Sequence, residues 1–251
     1  MKMLALQEQA AALGVSLDGE RLNAFKVYTD MLISWNTRMN LTAVTEPDQI
    51  ITKHFADSLS LLRFLPRNKP CWLIDAGTGA GFPGAPLAIA APLFTVTLMD
   101  SLNKRLLFLD ELIKTLGLKN ATTVHSRLED AGRSEEHRER YDAVVSRAVA
   151  RMGVLAEYCL PLASPGGYFY AMKGPSGREE AMGSEEIISA LGGRIESVED
   201  VTLLGGADEE QIRHTIVIIK KIKKTPPGYP RRRDKMNIAK PSAPPGLSHK
   251  S

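Results

Sequence analysis

The chain reads as an α/β fold: a doubly wound, mostly parallel sheet of seven strands that ends in an antiparallel hairpin, with a small helical region in front. Three observations predict this. After Pro70, short β-rich runs alternate with helical stretches, the pattern of a parallel sheet covered on both faces. The last two β-rich runs are separated only by a loop rich in Gly and acids, Leu204–Gln211, too short for a crossover, so they pair antiparallel. Finally, Trp72–Gly84 is an apolar run that ends in an acid and passes through alternating glycines to a proline. That is a buried strand entering a tight turn and then a helix.

The elements follow in order. In residues 1–68 the residues Leu22, Phe25, Tyr28, Leu32, Trp35 and Met39 recur at spacings of three and four, one apolar face of a helix. Asn40-Leu41-Thr42 interrupts it. Thr45-Glu46-Pro47-Asp48 then resembles a helix start, with a capping residue and an early proline. Ile50, Ile51, His54, Phe55, Ser58, Leu59, Leu62 and Leu65 continue on that second helix, and Leu65–Pro70 is a linker. The predicted strands are Cys71–Asp75, Thr95–Asp100, Thr122–His125, Ala143–Ser146, Tyr168–Lys173, Ile195–Thr202 and Ile212–Lys220. Helices are expected at Pro86–Ala91, Asn103–Leu116, Met152–Leu160 and Arg178–Leu191. The organisation read from this is a helical region (1–68), a sheet domain (69–224) and a basic Pro-rich tail (225–251).

Composition bounds the function. With 43% hydrophobic and 24% charged residues in 251, the chain has the make-up of a soluble globular protein. No apolar run approaches the roughly 20 residues of a membrane span, and the first residues turn polar too soon for a signal peptide. Cys71 and Cys159 make no disulfide framework, and no Cys/His cluster has zinc spacing. A cytoplasmic, metal-independent monomer is the expectation. The net charge of +3 is unevenly spread: Lys220–Ser251 holds ten Lys/Arg against one acid, a net of +9 that leaves −6 for residues 1–219. This Pro-rich tail is expected to bury little and to stay extended, and a basic tail on an acidic body suits a phosphate-rich partner. Within it Tyr229, Arg231, Arg232 and Arg233 combine an aromatic with three arginines, a set that can stack on a base and pair with phosphates.

The glycine run fits two templates. Gly77-x-Gly79-x-Gly81 behind Asp75 resembles the first motif of S-adenosyl-L-methionine (AdoMet) methyltransferases. Gly79-x-Gly81-x-x-Gly84, with Asp100 about 20 residues on, satisfies the dinucleotide pattern as well. Asp75 ends its strand where the dinucleotide fold keeps an apolar residue, and a carboxylate favours the amino and sulfonium groups of AdoMet over a pyrophosphate. Pro83 suits a first helical turn, leaving N–H donors for a ligand. Asp100 ends the second strand, where it can accept ribose hydroxyls, and Glu129 follows the third, where an adenine edge would lie. These acids and the closing hairpin favour a Rossmann-like class I AdoMet methyltransferase. An NAD-dependent enzyme and a non-catalytic RNA- or ribosome-binding protein are the alternatives.

Absences narrow the acceptor. Cytosine C5 chemistry needs a cysteine nucleophile, and neither Cys71 nor Cys159 follows the fourth strand. An exocyclic amine calls for an Asn/Asp-Pro-Pro-aromatic run, where this chain has Ser146-Arg147-Ala148. Guanine N7 is already nucleophilic and needs neither device; catalysis then rests on positioning. Arg147, at a strand's carboxyl end, can contact cofactor, base or phosphate, or pair with Asp75 or Glu129. Lys173, at the end of the fifth strand, is placed for RNA phosphate. His54 and Asp57, three apart on a helix, read as a hydrogen-bonded pair tying the helical region to the sheet.

An ordered set of motifs identifies a resemblance. Trp35-Asn36-x-x-x-Asn40-Leu41-Thr42 and His54-x-x-Asp57-Ser58 precede Asp75–Gly84. Asp100-Ser101-Leu102-x-Lys104-Arg105, Arg127-x-Glu129, Ser146-Arg147-Ala148, Lys173-Gly174 and Tyr229-Pro230-Arg231 follow. Together they resemble the small-subunit ribosomal RNA methyltransferase G family, also called glucose-inhibited division protein B, over roughly Asn23 to Pro241. The resemblance implies AdoMet-dependent methylation of N7 of one guanine in 16S ribosomal RNA, on naked RNA or the small ribosomal subunit. It implies cofactor-loop contacts at Gly77 and Phe82 and ribose and adenine contacts at Asp100, Ser101 and Leu102. It further implies adenine-side contacts at Leu128 and Glu129, and an active-site arginine at Arg147. Ala76, where the family often has Val, is a mild departure.

Overall fold

The computed structural model describes residues 2–147, 149–203 and 212–231. Chain order is α1 (Lys2–Ala12), α2 (Gly19–Met39), α3 (Pro47–Ile50), a π-helical segment (Ile51–Ala56), α4 (Asp57–Leu59) and a 3-10 turn (Ser60–Arg63). Then come β1 (Cys71–Ala76), α5 (Gly84–Ala90), β2 (Phe94–Asp100), α6 (Asn103–Leu116), β3 (Ala121–His125), α7 (Leu128–Ala131) and β4 (Tyr141–Arg147). α8 (Met152–Cys159), β5 (Ala163–Lys173), α9 (Gly177–Met182), α10 (Glu185–Ala190), β6 (Gly193–Leu203) and β7 (Ile212–Lys221) complete it. All seven expected strands are present, in the order β3-β2-β1-β4-β5-β7-β6. β1 to β5 pair in parallel, and β7 runs antiparallel to both β5 and β6. A dinucleotide-binding sheet is parallel throughout, in the order 3-2-1-4-5-6; the inserted antiparallel β7 separates this fold from it.

The helical region packs on one face of the sheet. Phe25, Tyr28 and Phe55 are fully buried and share a core cluster with Phe82, Phe94 and Phe108; Tyr28 stacks on Phe82 at 5.4 Å between ring centroids. Each such aromatic contributes roughly 2 kcal/mol by leaving water. The Asn36/Thr42 motif is a turn lock: Asn36 Nδ2 donates to Thr42 O, and Thr42 N donates to Asn36 Oδ1, both at 2.9 Å. It closes α2 behind Asn40, which sits in the left-handed region at φ 46°.

Three local expectations change. The second helix is not uniformly α-helical: its centre widens to a π turn at Ile51–Ala56, and the helix starts at Pro47 behind Glu46, without a side-chain cap from Thr45. The expected helix Arg178–Leu191 breaks in two at Gly183-Ser184, giving α9 and α10. The start of the tail buries more than expected. Lys221, Thr225 and Pro230 are buried, because Lys221 Nζ donates to Leu160 O and Thr225 Oγ1 to Leu191 O. Among the described residues no helix is long and apolar enough to cross a membrane.

Candidate active site

The carboxyl ends of β1 to β4 open on a cavity of about 1240 Å³. Gly77, Thr78, Gly79, Asp100, Ser101, Leu128 and Glu129 line one half of its wall. His54, Phe82, Arg147, Met152, Glu157 and Arg231 contribute to the other. Ligands of open α/β sheets bind at this edge, outside the carboxyl ends of the strands.

The glycine loop divides its labour. Gly77 has φ 78°, and a Cβ there would lie 2.8 Å from Val149 Cγ2; a side chain would be both strained and obstructed. Gly77 and Gly79 face the cavity, whereas Gly81 does not. Gly81 is packed against Tyr28 and Leu109, since the Tyr28 hydroxyl donates to the neighbouring Ala80 O. Its glycine admits the helical region, not a ligand.

Asp75 is likewise displaced from the expected ligand role. It is fully buried and does not line the cavity; its Oδ2 accepts from Thr78 Oγ1 at 2.6 Å and from Gly84 N at 2.7 Å. The free donor expected at the helix N-terminus is therefore capped from inside the protein, with Pro83 in the cap position ahead of the first turn. Burial pushes the Asp75 carboxyl up to about 6, against the lowering effect of those two hydrogen bonds.

Asp100 sits where expected, 4% exposed at the end of β2. Oδ2 accepts from Gly79 N at 2.9 Å and Oδ1 from Leu102 N at 2.8 Å, with Arg105 Nη1 3.2 Å from Oδ2. A carboxylate offers about four lone-pair sites, two on each oxygen, so these three bonds fill Oδ2 and leave one acceptor site on Oδ1. Ser101 lines the cavity, but Leu102 lies outside the lining and is 42% exposed; its part in the site is the backbone N–H that orients Asp100. Leu128 gives an apolar wall and Glu129 a half-buried carboxylate with no ion pair among the described residues.

Arg147 pairs with neither Asp75 nor Glu129. Its Nη1 donates to Asp57 Oδ2 at 2.8 Å and to Lys53 O at 3.0 Å, Nη2 lies 3.3 Å from His54 Nδ1, and the guanidinium lies over Phe82 at 5.1 Å. Asp57 Oδ1 is 2.9 Å from His214 Nδ1 on β7. Burial disfavours the charged Asp57 carboxylate, but His214 and Arg147 outweigh it and hold the group below its ordinary range. His54 and Asp57 do not pair with each other, because the π turn separates their directions. His54 stacks on Phe82 at 4.4 Å, and its Nε2 meets Thr42 Oγ1 at 2.8 Å. Burial, reinforced by the Arg147 charge, pulls its imidazole down to about 4, so it is neutral at physiological pH.

The residues expected to meet RNA are largely committed elsewhere. Lys173 Nζ is buried, donating to Ala150 O at 2.7 Å and paired with Glu180 at 2.8 Å, so its charge is not offered to a phosphate. Arg231 is held by Glu157, and its guanidinium lies 5.6 Å from the Tyr229 ring, itself half-buried. Arg232 and Arg233 lie outside the described residues, as does the β6–β7 loop.

Three site residues escaped the sequence reading as such. Glu157 is an acid inside the otherwise apolar helix Met152–Cys159, and that misfit was its signal. Arg127 and Arg151 are exposed arginines lining the cavity, each just ahead of a helix at the carboxyl side of a strand; Arg127 stood in the Arg127-x-Glu129 motif without a role of its own, and Arg151 carries no distinctive spacing.

Comparison with known proteins accords with this geometry. A solved structure of a 16S rRNA (adenine(1408)-N(1))-methyltransferase from Catenulisporales acidiphilia, carrying a single substitution, superposes with a TM-score of 0.50 at 17% identity, covering 66% of this chain and 90% of that one. The fold is that of the Rossmann-like class I AdoMet methyltransferases. Proteins named Ribosomal RNA small subunit methyltransferase G are 44% identical over 229 residues in Alkaliphilus metalliredigens (91% of this chain, 94% of that protein) and 48% identical over 220 residues in Lachnoclostridium phytofermentans (88% and 89%). The family model described as GidB, rRNA small subunit methyltransferase G, matches residues 21–207. With the glycine loop, the Asp100 cradle and Arg147 with its partners Lys53, Asp57 and Phe82 all inside that match, the chain belongs to the rRNA small subunit methyltransferase G family.

Proposed function

We propose that the protein transfers the methyl group of AdoMet to N7 of a guanine in 16S ribosomal RNA. AdoMet supplies an electrophilic methyl group on a sulfonium. Asp100 offers the free site on Oδ1 to a ribose hydroxyl, Gly77 and Gly79 admit the cofactor against bare backbone, and Leu128 and Glu129 meet the adenine. Phe82 and Arg147 form a flat cationic face opposite, suited to hold a guanine in line with the methyl group.

One observation carries the N7 assignment: among the described residues, the acids on the acceptor side are engaged. Asp57 serves Arg147 and His214, Glu180 serves Lys173 and Met152 N, and Glu157 serves Arg231. His54 is a weak base, and the buried Cys71 and Cys159 have thiols pushed up by burial, Cys71 to about 12, so neither supplies a thiolate nucleophile. An acceptor that brings its own lone pair and loses no proton fits such a wall; an amine or a ring carbon does not.

The RNA is held by the cavity-rim Arg127 and Arg151 and by Arg232 and Arg233 of the tail. Its affinity falls steeply with salt. The substrate is 16S rRNA or the small ribosomal subunit, and the enzyme acts on it in the cytoplasm as a monomer. The 1–68 and 69–224 segments act as one catalytic unit, and 225–251 as its basic extension. The test is transfer of tritiated methyl to naked 16S rRNA and to small subunits, followed by nucleoside chromatography. 7-Methylguanosine is expected; N6- or C5-methylated nucleosides would refute the N7 assignment.

A further inference from the structure

The link between Arg231 and Glu157 is enclosed at the acid and open at the arginine, whose side chain is 41% exposed. Glu157 is 1% exposed on α8, among residues that pack the core. Arg231 N donates to its Oε1 at 2.6 Å, Nε to the same oxygen at 2.9 Å, and Nη2 to Oε2 at 2.7 Å. Both carboxylate oxygens are thus satisfied from a position 74 residues along the chain. Removing the arginine strands the buried Glu157 carboxylate.

The segment that delivers Arg231 is fixed along its length. Thr225 N donates to Glu139 Oε1 at 2.7 Å. Arg138 donates to Thr225 O at 2.8 Å, Pro226 O at 3.1 Å and Tyr229 O at 2.7 Å, and also to Gly132 O. Gly132 is the C-cap of α7. Pro230 packs on that same glycine, where a Cβ would lie 3.0 Å from Pro230 Cγ, and Arg133 donates to Pro230 O. One arginine therefore ties the end of α7 to the tail, and the tail presses back on α7. That helix carries Leu128 and Glu129, which line the cavity alongside Glu157 and Arg231.

We propose that segment 225–231 is a buttress of the cofactor pocket, in which the Arg231–Glu157 pair sets the position of the α7 wall against the adenine. Arg231 is then a positioning residue for the cofactor and not an RNA-phosphate contact. The proposal rests on the placement of adenine at Leu128 and Glu129.

The test uses the full chain with Arg231→Ala, Arg231→Lys and Glu157→Gln. Affinity for AdoMet and for adenosine is measured by isothermal titration, affinity for a 16S rRNA fragment by fluorescence anisotropy, and amide exchange over residues 128–132 without ligand. Arg231→Ala and Glu157→Gln are expected to weaken AdoMet and adenosine alike by about tenfold, to raise exchange in α7, and to leave RNA affinity within about twofold. Arg231→Lys should recover only part of the loss, since a lysine cannot reproduce the fork. Unchanged exchange in α7, or a loss confined to RNA affinity, overturns the buttress. Raised exchange with wild-type adenosine affinity instead overturns the placement of adenine at α7. Should Arg231→Ala fail to fold, the isosteric Glu157→Gln carries the same comparison.

Discussion

The two halves of the cavity are built on different principles. The half proposed for the cofactor is made of strand ends and the turns directly behind them: Gly77 to Gly79 after β1, Asp100 after β2, Leu128 and Glu129 after β3. The other half is assembled across the chain. Arg147 from β4 meets Asp57 and Lys53 O, 90 and 94 residues away, and lies over Phe82 from the glycine loop, while Asp57 reaches His214 on β7 and Glu157 waits for Arg231. Backbone geometry positions the first half; buried charge positions the second. The first half should therefore fail locally when mutated and the second cooperatively.

The sharpest break of this comparison is Asp100→Ala. It should weaken AdoMet about a hundredfold or more in a titration while leaving RNA affinity nearly intact, since a hydrogen-bonded charged group at a ligand site is worth about 2–5 kcal/mol. Cofactor affinity equal to wild type would remove Asp100 from the site. Next is Asp57→Asn, which leaves Arg147 without its buried counter-charge. A loss of about 3 kcal/mol of unfolding free energy is expected in urea. The methyl-transfer rate should also drop in a protein that still binds AdoMet within a few-fold. If AdoMet affinity collapses instead, the two halves are not separable.

The pH dependence of His54 is a comparable effect. Its folded pKa is depressed to about 4 from an unfolded value near 6.5, so the unfolded chain binds the proton more readily. Stability from this group is complete above pH 6.5 and is lost as pH falls towards about 4, for a total of about 3 kcal/mol. Asp75, pushed up to about 6, acts with the opposite sign: its contribution falls as pH rises from its unfolded value through 6. The difference in stability between wild type and His54→Gln, followed by urea melts from pH 7 to 4, isolates the histidine; a flat difference would mean that folding leaves the pKa of the imidazole unchanged.

The smallest effects concern RNA. Arg127→Ala and Arg151→Ala should each lower the slope of log affinity against log salt by about 0.7–0.9. Lys173→Ala should leave it unchanged, because its ammonium already answers Glu180. A reduced slope for Lys173→Ala would restore it as a phosphate contact.

How much of this was legible depends on distance along the chain. The seven strands and the closing hairpin announced themselves through β-rich runs, since alternation and strand length are local properties. The place of Asp100 at the end of β2 was legible for the same reason, but the Gly79, Leu102 and Arg105 donors around it were not. Asp75 misled because its acid-then-glycine spacing serves a ligand and an internal cap equally well, and only the fold of Gly84 back onto Oδ2 distinguishes them. Gly81 misled because Tyr28, 53 residues earlier in the sequence, occupies the space a ligand would need. Lys173, Arg231 and the early tail were read as free charge because composition records how many charges a segment has, not which buried acid each one faces.

By itself, then, the sequence determined the α/β architecture, the location of the pocket and the identity of its family, all carried by residues close together or by motifs in fixed order. The tertiary structure decided which polar groups face the ligand and which brace the site. That division has a physical cause. A buried charge is tolerable only beside its counter-charge, and the partners of Arg147, Asp57 and Glu157 come from elements that only the folded sheet brings within 3 Å of one another.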